Sequence, residues 1–478
     1  MEFETVIGLE VHAQLATKTK IFCRCSTEFG SAPNANTCPV CMGLPGVLPT
    51  INEKVVKFAV MLGSATNCKI RRDSQFARKN YFYPDLPKAY QTSQFDRPIC
   101  ENGWIDIEVE GKDKRIGITR IHMEEDAGKL VHDGKDGAAS YVDLNRAGVP
   151  LVEIVSEPDM RSADEARAYM EKIHSILRYL EVCEGNMEKG NLRCDANVSV
   201  RPFGRRELGT RTETKNLNSF RNVQAAINYE IARQTDAIQE GERIVQQTRL
   251  WDADKKVSKA MRSKEDSDDY RYFPCPDLPI VRLTEFYVSR LKSNLPELPD
   301  RKRKRYIDEY GLGRQDASKL VADRSVALFF DEAVEQGADA KTAANWITGD
   351  LARLTNESKT TIVECKITAS LLKELLDRIA DGTISGKIAK TVFEEMFLTG
   401  KTAKEVIEEK GLRQVSNRKE LAEICASVVA ANARQVEEYR SGKEKVFGFF
   451  VGQAMKLTKG KANPRLVNEL LKELLTKR

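Results

Sequence analysis

Residues 120–129 read R-I-H-M-E-E-D-A-G-K, and the fold turns on how they are read. The run Ile116 to Met123 is strand-like, and Glu124, Glu125 and Asp126 follow it directly. Acids crowded at a strand end repel one another unless a cation or a solvated turn separates them. Oxygen ligands in that arrangement suit Mg²⁺ or a similar hard ion. A solvated acidic turn closing a hairpin would look the same locally, so the neighbouring strands have to decide. In an ideal strand Glu124 and Glu125 face opposite ways, so sharing one site requires a bulge or the strand's end.

Outward from this stretch the same design recurs. Residues 4–15 alternate, with Ile7, Leu9 and Val11 on one face and Gly8, Glu10, His12 and Gln14 on the other. A Glu-x-His face offers a carboxylate and an imidazole to one metal, although a half-exposed strand would show polar residues too. Ile105, Ile107 and Val109 alternate with Asp106, Glu108 and Glu110. In 190–201, Cys194, Ala196, Val198 and Val200 point one way, and Arg193, Asp195, Asn197 and Ser199 the other. Arg211, Glu213 and Lys215 repeat the pattern before a helix expected over 219–234. Apolar backs and fronts mixing acids with cations suit a concave site for a metal and a nucleotide.

Two close cysteine pairs, Cys23 with Cys25 and Cys38 with Cys41, flank a turn-rich loop of 12 residues. That spacing matches a closed, structural Cys₄ zinc knuckle, and the 11 cysteines of a chain this long fit reduced thiols better than a disulfide framework. Residues 52–67 have helical spacing. Residues 78–88 and 269–281 echo each other as Pro-locked loops that pack aromatics or, through Arg78, Lys79 and Lys88, hold phosphates. Ser162 and Glu165 form an expected capping box, opening a helix with the buried stripe Ala166, Tyr169, Met170, Ile173, Leu177 and Leu180. His174 beside that stripe reads as packing.

At 478 residues the chain needs several domains. No apolar run is long enough for a membrane span, and the acidic Met-Glu-Phe-Glu-Thr start does not resemble a signal peptide, so a cytoplasmic protein is expected. Pro-interrupted and then basic residues 291–305 mark the best boundary. Beyond it strand alternation gives way to helices expected over 305–310, 317–336, 341–357, 368–380 and 385–398. Residues 401–478 carry 17 Lys/Arg against 10 Asp/Glu, a surplus of seven, so the preceding 400 residues sum to −2. Lys456, Lys459, Lys461 and Arg465 cluster around a glycine turn there, a reasonable contact for a phosphate backbone. A helical cap with solvent-facing lysines reads similarly. Neither a P-loop nor G-x-G-x-x-G is present, and no Gly-Ser-Ser-Gly amidase nucleophile run appears.

Longer motifs are more specific. Y-F-Y-P-D-L-P-K-A-Y-Q (81–91), I-H-M-E-E-D-A-G-K (121–129), G-N-L-R-C-D-A-N-V-S-V-R-P (190–202), T-E-T-K-N-L-N-S (212–219), D-Y-R-Y-F-P-C-P-D-L-P (269–279) and M-K-L-T-K-G-K-A-N-P (455–464) span nearly the whole chain. Together they resemble the B-subunit family of bacterial aspartyl/glutamyl-tRNA amidotransferases. The resemblance implies an α+β protein. It would have a glutamine-synthetase-like antiparallel β cradle over 1–293 with a Cys₄ zinc knuckle, an all-α helical domain over 294–405, and a small all-α tRNA-binding tail over 406–478. It further implies ATP-dependent phosphorylation of the side-chain carboxylate of misacylated Glu-tRNA(Gln) or Asp-tRNA(Asn). Ammonia from the A-subunit, an amidase acting as glutaminase, then displaces phosphate, and a small C-subunit completes a heterotrimer. On this likeness Glu10, His12, Glu124 and Glu125 are Mg²⁺-site residues, Asp195 and Glu213 are further acids of the ATP and metal site, and Lys79, Lys88 and Arg193 are candidates for phosphate or acceptor-end contacts. Cys23, Cys25, Cys38 and Cys41 are structural Zn²⁺ ligands. A non-catalytic tRNA-binding scaffold, which needs no ordered acids, and an ammonia-dependent ligase on a free amino acid, which needs no basic tail, remain the alternatives.

Overall fold

The acidic stretch is the end of a long strand, Lys112–Glu125, rather than a turn after one. Its isoleucines explain why. Ile116, Ile118 and Ile121, with Met123, are fully buried on one face, and β-branched residues at this spacing suit a half-buried sheet. The computed structural model describes residues 2–132, 140–261, 270–412, 418–458 and 462–476. The chain divides into two compact units, Met1–Pro299 and Asp300–Arg478.

In the first unit nine strands form one sheet, ordered Val257–Ala260, Thr248–Asp252, Thr212–Leu217, Leu192–Pro202, Phe3–Gln14, Pro150–Ser156, Lys112–Glu125, Cys100–Val109 and Lys69–Ile70. The expected antiparallel pattern needs one amendment, because Thr212–Leu217 and Thr248–Asp252 pair in parallel. The long helix Phe220–Gln239 fills the connection between these two strands, and parallel neighbours require such a crossover.

The sheet's apolar face carries Ile7, Leu9, Val11, Val152, Ile154, Cys194, Ala196 and Val198, all fully buried. Helices Glu53–Ala65, Ala163–Tyr179 and Phe220–Gln239 contribute to the same core, each opened by a side-chain cap from Asn52, Ser162 or Ser219. Each fully buried Ile or Leu contributes roughly 1.5–3 kcal/mol relative to exposure. The whole expected stripe of Ala163–Tyr179 and Leu180 is inside. The capping box at its start is half formed. Ser162 accepts from the Glu165 N–H, but the Glu165 carboxylate accepts from the Arg161 N–H and pairs with Lys114 instead of returning to Ser162. His174 packs edge-on against Phe220, as its position suggested.

Residues 78–88 and 269–281 are not independent loops. Ala77–Asn80 is a strand that pairs with Tyr90–Ser93 on one side and Phe273–Pro274 on the other. The two echoing stretches are thus partners in one small sheet. Arg78 anchors it, with its guanidinium 4.1 Å from the Tyr90 ring centroid and paired to Asp277 at 2.5 Å.

The second unit is helical among the described residues. The basic run 301–305 is not a linker but the body of helix Pro299–Asp308, with proline in the first turn, where its missing N–H costs nothing. Asp331 receives Lys302, Arg305 and the Tyr306 hydroxyl, which ties that run to the unit's core. The division at Pro299/Asp300 therefore falls a few residues past 293. The helix expected over 317–336 is two, Arg314–Val321 and Arg324–Glu335, separated where Asp323 caps the second. The one expected over 341–357 is interrupted by a π turn at Ile347–Leu351. The helices expected over 368–380 and 385–398 are Ala369–Ala380 and Gly386–Thr399, capped by Thr368 and Ser385. Apolar residues gather in two clusters, one from Tyr306 to Ile407 and one from Leu421 to Leu475. No helix of the described residues is long and apolar enough to cross a membrane.

Candidate functional site

The polar face of the nine-stranded sheet collects acids through lateral strand pairing. His12 stands opposite Glu153, which stands opposite His122, while Glu10 stands opposite Asp195 and Asn197 opposite Glu213. Cross-strand pairs share a face, so residues far apart in sequence meet in one row.

Two groups result. In the first, ligand atoms of His12, Glu124 and Glu153 all lie within 4.8 Å of one another. His12 Nε2 is 3.4 Å from Glu153 and 3.8 Å from Glu124, and His122 Nε2 sits 3.3 and 3.8 Å from the same two carboxylates. In the second, Glu10, Asp195 and Glu213 are equally close. Asn197 donates to Glu10 at 3.0 Å, Thr248 to Glu213 at 2.9 Å, and Lys215 reaches both Asp195 and Glu213 at 3.1 Å.

The electrostatics suit a bound cation. Burial pushes the Glu124 carboxyl up, and the charge of Glu153 adds to it. Burial likewise raises Glu10, reinforced by Glu153, Glu213 and Asp195. His12 is pushed up to about 9, because Glu153, Glu124 and Asp195 outweigh a burial that opposes its charged form. Burial would raise Glu153 as well, but the two imidazoles hold it well below the usual carboxylate range. Two carboxylates with an imidazole in one group, and three carboxylates in the other, form donor sets for a divalent ion, whose charge would relieve this crowding.

Five of the six acids and imidazoles anticipated from sequence, Glu10, His12, Glu124, Asp195 and Glu213, lie in these two groups. Glu125 does not. The strand runs in unbroken register through Leu151↔Glu124 and Pro150↔Glu125, with no bulge between them, so the two carboxylates face opposite ways. Glu125 accepts instead from Lys88 and, at 2.8 Å, from the Thr92 N–H, and lines a cavity of about 210 Å³ together with Lys20, Tyr90 and Cys41. Lys88 is committed to that pair, and Arg193 to Asp126 at 3.0 Å. Lys79 has no carboxylate within 4.0 Å among the described residues; its ammonium lies 4.6 Å from the Tyr270 ring centroid and 5.8 Å from that of Tyr81. Glu153, His122, Asn197 and Lys215 complete the site. Glu153 had a legible signal, a lone acid inside the apolar run P-L-V-E-I-V.

The four cysteines meet separately, with sulfurs within 4.8 Å of one another. Cys38 and Cys41 Sγ are 3.9 Å apart, near the roughly 3.8 Å that tetrahedral ligands at about 2.3 Å would show. A hydrogen bond from Cys23, the Cys38 N–H at 3.1 Å and the buried Lys20 ammonium at 3.6 Å favour the Cys41 thiolate, the form a metal requires. In the second unit Lys456 and Arg465 are exposed, on helix Phe447–Leu457 and at the start of helix Pro464–Thr476. Lys459 and Lys461 lie outside the described residues.

The family described as the GatB/GatE catalytic domain matches residues 5–289, and that described as the GatB domain matches residues 328–475. The chain belongs to the GatB family. A protein of Desulfotalea psychrophila, named as the B-subunit of aspartyl/glutamyl-tRNA(Asn/Gln) amidotransferase, is 58% identical over 478 residues, covering all of both chains. Proteins of the same name from Geobacter sulfurreducens and Brevibacillus brevis are 58% and 54% identical, over 99% of this chain and 100% and 99% of their own lengths. This family member is therefore a B-type component of a tRNA-dependent amidotransferase, and both metal-ligand groups fall inside the stretch matched as catalytic.

Proposed function

We propose that the chain activates the side-chain carboxylate of misacylated Glu-tRNA(Gln), Asp-tRNA(Asn) or both with ATP, and presents it to ammonia. The observation that carries this reading is the pair of acid groups on one sheet face, His12–Glu124–Glu153 and Glu10–Asp195–Glu213, within the matched catalytic domain. A carboxylate is a poor electrophile. One of its oxygens must bond to the terminal phosphorus of ATP as the bond from that phosphorus to ADP breaks. Ammonia then attacks the acyl carbon, the C–O bond to phosphate breaks, and the nitrogen sheds a proton.

The two acid groups would hold Mg²⁺, which when bound draws charge from a transferring phosphoryl group. Asn197, Thr248 and Lys215 orient the acids of the second group through their hydrogen bonds. His122 fixes Glu153 and Glu124 from the neighbouring strand position. Lys79 supplies positive charge that Glu124 feels, although no carboxylate of the described residues lies within 4.0 Å of its ammonium. The four cysteines would hold a structural Zn²⁺, since a four-thiolate sphere leaves no open position. In this reading the sheet unit is the glutamine-synthetase-like cradle. The clusters of the second unit are a helical domain and a tail, and Lys456 and Arg465, with Lys459 and Lys461, contact tRNA. Ammonia comes from the glutaminase A-subunit, with the small C-subunit completing a cytoplasmic heterotrimer.

The test is ATP consumption by the complex purified with its partner proteins. ADP formation should require misacylated tRNA. Equal turnover with free glutamate would instead make the chain a small-molecule ligase, and no ATP consumption at all would leave a scaffold. Running both misacylated tRNAs identifies the working substrate.

A further inference from the structure

The cations around the acid row are mostly spoken for. Lys215 serves Asp195 and Glu213, Arg193 and Arg146 both serve Asp126, and Lys88 serves Glu125. Arg120 is different. It belongs to strand Lys112–Glu125, two and four residues before His122 and Glu124, so alternation puts it on the same face as both. Its cross-strand neighbour on one side is Val155, whose side chain offers no acceptor, and on the other Glu101. Glu101 is already held by Arg71, at 2.5 Å to the guanidinium terminus and 3.2 Å to Nε.

The Arg120 side chain consequently makes no hydrogen bond and no ion pair among the described residues, and its Nε is buried without a partner. A guanidinium cannot shed its proton to escape this, so the position holds a permanent, partly desolvated charge. Its surroundings are specific. Tyr272 is near enough to feel both it and the acids: burial and the charges of Glu153 and Glu124 raise the Tyr272 hydroxyl, and Arg120 opposes them. Tyr272 stacks on Phe95 at 4.2 Å and meets Tyr270 edge-on, and Lys79 sits over Tyr270. Lys79 and Arg120 thus stand at two ends of one aromatic wall beside the His12–Glu124–Glu153 group.

We propose that Arg120 binds the phosphoryl group in transit, its forked donors taking equatorial oxygens of the phosphorus while the carboxylate oxygen bonds to it and ADP leaves. A group that carries extra negative charge only when a phosphate arrives explains why no described residue of the chain neutralises this cation. The planar fork suits two phosphate oxygens in a way an ammonium does not. The proposal rests on the phosphoryl-transfer reading above. Arg120 moves no proton; its contribution is charge and position.

The experiment is single-turnover ADP formation by the assembled complex with misacylated Glu-tRNA and Asp-tRNA, comparing wild type, Arg120→Ala and Arg120→Lys. Arg120→Ala should be slower by about a hundredfold or more. Its KM for misacylated tRNA and its Mn²⁺ affinity should stay within about threefold of wild type. Arg120→Lys should fall between, and added guanidinium should restore Arg120→Ala by about tenfold while leaving wild type unchanged. If Arg120→Ala does not assemble, Arg120→Gln, which keeps the stem, takes its place in every comparison. A variant within threefold of wild type, or a slow one that guanidinium does not rescue, overturns the proposal. A wild-type complex that forms no ADP sinks the phosphoryl-transfer reading itself, and Arg120's role with it. An active wild type beside an unimpaired variant sinks only Arg120.

Discussion

Two buried carboxylates in the same unit have opposite surroundings. Glu230, on helix Phe220–Gln239, is fully inside, and every neighbour gives to it: Thr212 at 2.6 Å, Gln234 at 3.0 Å, Arg233 at 2.5 and 3.0 Å, with Arg249 at 3.4 Å. Glu124 is 4% exposed, and what faces it is two imidazoles and a second carboxylate. Burial would raise both. The donors around Glu230 reverse that and hold it below the ordinary value, whereas Glu153 pushes Glu124 further up. Where the chain needs only to fasten a helix to strands Thr212–Leu217 and Thr248–Asp252, it closes the charge internally. Where the charge is left open, something from outside is expected to complete it.

The sharpest way to break this contrast is at the acid row. Glu124→Gln and His12→Ala should each lower transamidation by about a hundredfold or more, beyond what outer-shell partners of a metal usually cost. Mn²⁺ affinity should fall in parallel while the complex still assembles. Glu125→Gln, one residue away but on the other face, should leave Mn²⁺ affinity within about threefold. Metal loss in Glu125→Gln, or wild-type turnover in the other two, would remove the distinction between neighbouring acids.

A second comparison sets the cysteine cluster beside the acid row, a closed site against an open one. Cys41→Ser or Cys25→Ser should lose one zinc per chain by elemental analysis and lower the thermal midpoint, because metal binding at a four-thiolate site is also folding energy. Wild-type protein without zinc would refute this.

Glu230 predicts stability without chemistry. Glu230→Gln should destabilise the sheet unit by at most roughly 3–5 kcal/mol, the range for breaking a buried pair, tempered because Arg233 is 25% exposed. Its folded pKa lies below the ordinary 4.5. Its stabilisation is therefore complete above pH 4.5 and is lost as pH falls from there through the folded value. Denaturant midpoints of wild type and variant should converge in that acid window. Midpoints that stay equally far apart from about pH 7 down to about pH 3 would show that Glu230 is not the titrating group.

The smallest effect is expected in the tail. Lys456→Ala and Arg465→Ala, both exposed, should each reduce the salt dependence of tRNA binding by about one unit of slope and weaken affinity without moving the thermal midpoint. An unchanged slope in the double variant would make the tail a helical cap.

Alternation by itself determined which residues of Phe3–Gln14 and Leu192–Pro202 turn inward, because a side-chain period of two is a local property of an extended chain; in Lys112–Glu125 a register shift between Ile118 and Arg120 puts Ile118 and Ile121, three residues apart, on one face. The helix starts near Asn52, Ser219, Thr368 and Ser385 were legible too, and each proves to be a side-chain cap, whereas Glu124 and Glu125, expected in one metal site, part company because the strand runs between them without a bulge. The cysteine pairs were equally legible, since few arrangements bring four thiols so near. Only the tertiary structure decided which acids become neighbours. Strand order and register put His12 against Glu153 and Glu10 against Asp195, and no local pattern encodes a partner 141 or 185 residues away. It also decided which cations are open: Lys88 and Arg193 looked available in sequence and are taken, while Arg120 is not. Charge compensation depends on three-dimensional proximity, and a sequence shows only the charges.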